Sequence, residues 1–146
     1  MRYIGMDYGS KTLGISVSDT SLLIATGITT IRYEDEEELF DKTKRILEEY
    51  KPTKIVLGNP INLDGSESTR SELTKEFRNK LITEFNIPVV LQDERLSTVS
   101  VHKMLIDNNT KRQKRKAVVD KIAATIILQS YLDKERNEKK QYNNIS

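Results

Sequence analysis

Apolar residues along this chain follow two periods. Residues 2–7 and 12–18 are short apolar runs parted by a polar turn, Tyr8-Gly9-Ser10-Lys11, and 22–32 is rich in Thr and β-branched residues. Three consecutive strands joined by tight turns, an antiparallel meander, are therefore predicted. In EDEEELFDKTKRILEEYK the period lengthens: Leu39, Phe40, Ile46 and Leu47 recur at helical spacing, and acids fill the first turn, where the helix dipole favours them. KIVLGNP and IPVVLQDE are unalternated apolar runs, as expected of strands buried on both faces. Between them, NLDGSES reads as a loop leading through a Ser or Thr cap into a helix over 68–85. STVSVHKML starts another helix, NNTKRQKRK interrupts it with polar and basic residues, and AVVDKIAATIILQSYLDK is a strongly periodic final helix.

The predicted order is thus β β β α β α β α α. Alternation of strand and helix over the second half demands parallel pairing through crossovers, with the first strand beside the later ones. This is an α/β fold on a five-stranded mixed sheet, in which strands 4 and 5 run parallel to strand 1. With 146 residues, one domain over 1–135 is expected, followed by a polar, disordered tail at 136–146.

Composition narrows the function. The chain is 36% hydrophobic and 32% charged, with three Pro and six Gly, which suits a soluble globular domain. No stretch approaches the roughly 18 apolar residues of a membrane span, and Gly5 and Asp7 break the first apolar run before it can act as a secretory signal. A cytoplasmic location is expected. The absence of cysteine excludes disulfides and thiolate metal sites, leaving oxygen ligands or His102, which sits among polar residues and reads as a surface group. Net charge is only +2, but Glu34 to Glu38 are all acidic while five of the six residues Lys111 to Lys116 are basic. That asymmetry predicts a local positive patch.

Ligands of such sheets gather beyond the carboxyl ends of parallel strands, and three apolar runs end there in polar residues: Asp7, Asn59, and Asp93 with Glu94. Asp120 lies in the last helix among core-facing neighbours that include Ala123, Ala124 and Ile127, where a buried carboxylate is costly unless paired. Taken singly, Asp7 reads as a turn former and Asp93-Glu94-Arg95 as a surface strand end. Taken together, carboxylates from two strand ends and a facing helix suit a hard cation such as Mg²⁺ or Mn²⁺ and the hydrolysis of a phosphodiester in nucleic acid. The choice between Asp93 and Glu94 stays open on these grounds.

The segments MDYGSKTLGISVSD, IVLGNPINLDGSES, QDERLSTVSVHKML and VVDKIAATIILQSYLD resemble, in order and spacing, the four signature blocks of the YqgF (RuvX) family. Its members are described as pre-16S ribosomal RNA nucleases and Holliday-junction-resolvase-like proteins. The resemblance implies a ribonuclease H-like fold, a metal-dependent nuclease, and Asp7, Glu94 and Asp120 as catalytic and metal-binding carboxylates, with Asp93 the weaker candidate. It also implies a ribosomal RNA precursor as partner, with branched DNA as the alternative; the oligomeric state is left open between monomer and homodimer. Where related resolvases place two acids one turn apart on the last helix, Ala123 takes the second position, which opens the choice between one metal and two.

Supporting roles follow. Gly9 and Gly14 would let backbone approach a phosphate, which Lys11 could contact, and Asn59 would orient a water or phosphate oxygen or else cap the next turn. Arg95 would stabilise charge on the phosphoryl group or else hold Glu94 in place, and Lys111, Arg112, Lys114, Arg115 and Lys116 would bind backbone phosphates or else form a solvated loop. Two competing readings remain: half of an actin-like nucleotide clasp, suggested by Asp-x-Gly-x-x-x-x-Gly, and a non-catalytic RNA-binding module.

Overall fold

The computed structural model describes residues 1–62, 64–93 and 112–145. Strands β1 (Tyr3–Tyr8), β2 (Thr12–Ser18) and β3 (Ala25–Arg32) form the expected antiparallel meander, and β4 (Lys54–Asn59) and β5 (Val89–Asp93) add to it in parallel, giving the order β3-β2-β1-β4-β5. Helices α1 (Glu36–Tyr50) and α2 (Thr69–Phe85) complete one layer, and α3 (Arg112–Ile145) covers the other face of the sheet. The helix expected to start at STVSVHKML lies outside the described residues.

The α1 start follows from its sequence. Asp35 accepts a hydrogen bond from the Glu38 amide at 2.8 Å, Glu38 in turn accepts from the Glu34 amide, and three acids face the positive end of the dipole. Both α1 and α2 end on a residue in the left-handed region, Lys51 and Asn86, whose amides close the last turn on Leu47 and Ile82.

Strand alternation divides the core in two. Ile4, Met6, Leu13, Ile15, Ile55 and Leu57 meet Leu39 and Leu47 of α1 and Phe77 and Leu81 of α2. On the other face, Tyr3, Ala25 and Val56 meet Ile127, Leu128 and Leu132 of α3. Each such buried side chain contributes about 1.5–3 kcal/mol.

Helix α3 approaches the sheet unusually closely because small residues lie beneath it. A Cβ on Gly14 would stand 2.0 Å from the carbonyl oxygen of Asp120, and one on Gly5 would stand 2.7 Å from Leu128 Cβ and 2.8 Å from the Ala124 carbonyl oxygen. Ser16, which pairs with Gly5, donates its hydroxyl to that same Ala124 carbonyl at 2.7 Å. Asp120, Ala124 and Leu128, four residues apart, thus form the strip of α3 that rests on the sheet. The sequence reading of Gly14 as a phosphate approach is corrected here: what approaches Gly14 is the backbone of α3.

Two further differences concern α3. Among the described residues the helix runs from Arg112, so the basic residues 112–116, expected to interrupt, are helical, as the good helix propensity of Arg and Lys allows; the rest of the expected interruption lies outside the described residues. It also continues through 136–145, where the sequence predicts a disordered tail. Ion pairs along the helix, Arg136 with Asp133 at 2.9 Å and Lys139 with Glu135 at 3.9 Å, support that extension.

The far end of α3 is latched. Tyr3 donates its hydroxyl to Glu135 at 2.8 Å, and Lys54 bonds the Tyr131 hydroxyl at 2.8 Å and Glu135 at 3.3 Å while lying over both tyrosine rings. Burial alone would push the Glu135 carboxyl up, but the Tyr3 hydrogen bond and the Lys54 charge outweigh it and hold the carboxyl below its usual range. Because it titrates lower in the folded chain, its contribution is complete above the unfolded value of about 4.3 and is lost as pH falls through the folded value.

Gly14→Ala is expected to cost about 3 kcal/mol in urea unfolding through the forced displacement of α3. Gly9→Ala, whose Cβ would meet Thr12 Oγ1 at 3.0 Å, is expected to cost less than about 1 kcal/mol by the same measure. Glu135→Gln is expected to lose about 1 kcal/mol at neutral pH, with the difference from the parent vanishing as the acid limb is descended.

Candidate active site

The site is built from the Gly14 contact outward. In the antiparallel register Asp7 lies opposite Gly14, and Gly14 is the residue on which the Asp120 backbone sits. Gly5, two residues before Asp7, faces α3, so strand alternation turns Asp7 to that face as well. The structure thus brings Asp7 and Asp120 to one rim of one sheet face, both half-buried, with Asp120 Oδ2 withdrawn from solvent.

Oxygen donors at the end of a strand and on a facing helix fit a hard divalent cation such as Mg²⁺ or Mn²⁺, which prefers carboxylate and water ligands. Among the described residues no three His, Cys, Asp or Glu side chains are grouped closely enough to hold an ion by themselves. Glu94, the third acid expected, lies outside the described residues, as do Arg95, His102 and Lys111; the side chains of Arg112, Lys114, Arg115 and Lys116 are likewise outside.

The other expected residues separate. Leu57 packs on the α1 and α2 side, and Asn59, two residues further, shares that side: its Oδ1 accepts from the Ser71 hydroxyl at 2.8 Å. Asn59 therefore ties β4 to the start of α2 on the face opposite Asp7. Asp93, paired in register with Asn59 and two residues past Leu91, falls on that same opposite face and is exposed. Gly9 closes the hairpin, its amide donating to the Thr12 carbonyl at 2.8 Å, while Lys11 is exposed and 3.7 Å from Glu34.

Three residues at the rim escaped the sequence reading. Arg70 of α2 donates to the Tyr8 carbonyl at 3.1 Å and lies 5.1 Å from the centre of the Tyr8 ring, which stacks on Phe77 at 4.1 Å. Tyr33 donates its hydroxyl to the Gly9 carbonyl. Its phenol is pushed well above the usual tyrosine value, chiefly by burial and then by the neighbouring Tyr8, with Arg70 opposing, so it remains a donor. The available signal was Arg70 itself: a cation in the first turn of a helix opposes the dipole and needs a local reason.

On the α1 and α2 side, a groove of about 590 Å³ is lined by Glu36, Glu37, Asp41 and Glu84 with Lys80 and Phe40. Its acids disfavour a polyanion, and it lies in the helix layer opposite Asp7.

A mixed sheet of this order, with acids of its first strand and its covering helix at one rim, defines a ribonuclease H-like domain. In solved structures the same fold occurs in the Fowlpox virus resolvase complexed with Holliday junction DNA (TM-score 0.55, 16% identity, 92% of this chain and 98% of that one). It occurs too in RuvC of Thermus thermophilus (TM-score 0.52, 13% identity, covering 94% and 97%). The family described as "RuvX: Holliday junction resolvase" matches residues 1–134, and the chain belongs to that family. Relatives named "Putative pre-16S rRNA nuclease" include those of Geobacillus thermodenitrificans, 46% identical over 93% of this chain and 100% of theirs, and Desulfitobacterium hafniense, 44% identical over 97% and 98%.

Proposed function

We propose that this protein is a divalent-metal-dependent nuclease that hydrolyses phosphodiester bonds during 5′-end processing of pre-16S ribosomal RNA in the cytoplasm. The observation that carries the reading is the meeting of Asp7 and Asp120 at one rim through the Gly14 contact. The names of the relatives supply the substrate class. Among the described residues no helix is long and apolar enough to cross a membrane.

Asp7, Asp120 and Glu94 would hold Mg²⁺ or Mn²⁺. Glu94 is preferred to Asp93 because the family resemblance points to it and because Asp93 falls on the face opposite Asp7. When bound there, the cation would supply positive charge for the phosphoryl oxygens and would lower the pKa of water. The residues themselves would orient the attacking water, because carboxylates on fixed backbone accept its hydrogens in one direction. Lys111, Arg112, Lys114, Arg115, Lys116 and Arg95 would grip flanking phosphates, giving affinity without sequence preference. The acids at Glu34 to Glu38, at the start of α1, repel the strand from the opposite side and leave the α3 side as its path.

A labelled pre-16S RNA and a four-way DNA junction, each with Mg²⁺, Mn²⁺ or chelator, test this reading. The RNA is expected to be cut only with metal, and Asp7→Asn, Asp120→Asn and Glu94→Gln are each expected to slow cutting by at least about a hundredfold, the upper end of what outer-shell changes cost. Cutting of the junction alone would establish the resolvase activity for which the family is named instead. Cutting indifferent to metal and to all three variants would overturn the carboxylate site.

A further inference from the structure

The pairing of β1 with β4 stops at Met6 and Leu57, one residue before Asp7, so among the described strands β2 is the neighbour that pairs with Asp7 and Tyr8. Two side chains from distant parts of the chain also hold this end. The Tyr8 carbonyl accepts from Arg70 Nη2, 62 residues on in sequence, and the Gly9 carbonyl accepts from the Tyr33 hydroxyl, 24 residues on. The Tyr8 ring is fixed as well, stacked on Phe77 with an interplanar angle of 13° and flanked by the Arg70 guanidinium.

The contacts are costly ones to keep. Arg70 is half-buried in the first turn of α2, against the helix dipole, and its charge is met by a carbonyl and the face of a ring. Tyr33 is 7% exposed with its backbone amide already spent on the Lys11 carbonyl, so its hydroxyl is aimed at Gly9 by a fixed main chain. The Tyr33 ring belongs to the apolar core around Ile4 and Met6, and from there its hydroxyl reaches the Gly9 carbonyl. What Arg70 and Tyr33 share is the pair of carbonyls immediately following Asp7.

We propose that Arg70 and Tyr33 are positioning residues that clamp the Tyr8 and Gly9 carbonyls, and through them set the aim of the Asp7 carboxylate and its affinity for a divalent cation. This rests on the reading of Asp7 as a cation ligand. Neither residue touches the reacting atoms in this account. Arg70 acts from α2 and Tyr33 from the link between β3 and α1, so two elements of the opposite layer tune a site on the α3 face.

The test compares the full-length chain with Tyr33→Phe, Arg70→Ala, Arg70→Lys and Asp7→Asn. Two quantities are read: the Mn²⁺ concentration that half-saturates the rise in melting temperature, and kcat and KM for RNA cleavage. Tyr33→Phe and Arg70→Ala are expected to raise the Mn²⁺ midpoint and lower kcat by about tenfold, as loss of outer-shell support does, with KM unchanged. Arg70→Lys, which keeps a donor and a charge, is expected to recover part of both. A merely structural role would lower the melting temperature and leave the Mn²⁺ midpoint at the wild-type value; that result for Tyr33→Phe and Arg70→Ala, with Asp7→Asn abolishing the Mn²⁺ response, would overturn the clamp alone. An Mn²⁺ response that survives Asp7→Asn would remove the cation-site reading, and the clamp's purpose with it.

Discussion

The Asp120 carbonyl rests so near Gly14 that a single added methyl group would stand 2.0 Å from its oxygen, and much of the molecule is arranged around that contact. Packing in protein interiors is dense enough that helices cannot be lowered onto a sheet without removing side chains from the surface beneath. Here Gly14 and Gly5 provide the space, and Ser16 adds a hydrogen bond to the Ala124 carbonyl. The same contact sets the core on that face, because it fixes where Ile127, Leu128 and Leu132 meet Tyr3, Ala25 and Val56. It also sets where two acids stand, since the helix residue laid on Gly14 is Asp120 and the strand residue opposite Gly14 is Asp7. A backbone contact of this kind leaves the two residues less freedom to shift than a contact between flexible side chains would.

The sheet keeps its two faces to different tasks. Toward α1 and α2 it presents aliphatic side chains, the Asn59 tie to Ser71, and an acidic border. Toward α3 it presents glycines, Asp7 and the residues that latch the far end of the helix. The latch of Tyr3, Lys54, Tyr131 and Glu135 and the Gly14 contact hold α3 at two separated points, so Asp120 is fixed in height by one and in direction by both.

Much of this was legible in the sequence, for physical reasons. Alternation and turn residues exposed the meander, and the long apolar runs exposed the two parallel strands, because burial on both faces leaves no polar positions. Asp7 and Asp120 stood out as carboxylates in apolar company. The same apolar runs hid the phase of β4 and β5: a strand buried on both faces does not say which residues face which layer, so Asn59 was grouped with Asp7 although it points the other way, and Asp93 could not be told from Glu94. The basic stretch before the last helix read as a break because it has no apolar face, yet Lys and Arg sustain a helix by propensity alone. Gly14 was legible as a glycine that mattered but not as the seat of a helix, since that requires knowing what lies above it. Arg70 and Tyr33 act through backbone carbonyls, and such contacts leave no pattern in a sequence.

The central claim is that the α3 face of the sheet, through Asp7 and Asp120, holds the divalent cation, and that the opposite face does not. Mn²⁺ binding followed by electron paramagnetic resonance in the wild type, Asp7→Asn, Asp120→Asn and Asp93→Asn tests it most directly, because it reads the ion without requiring a substrate. The account predicts binding that is lost in the first two variants and kept in Asp93→Asn. Binding that survives in Asp7→Asn and Asp120→Asn, or that disappears in Asp93→Asn alone, would contradict it.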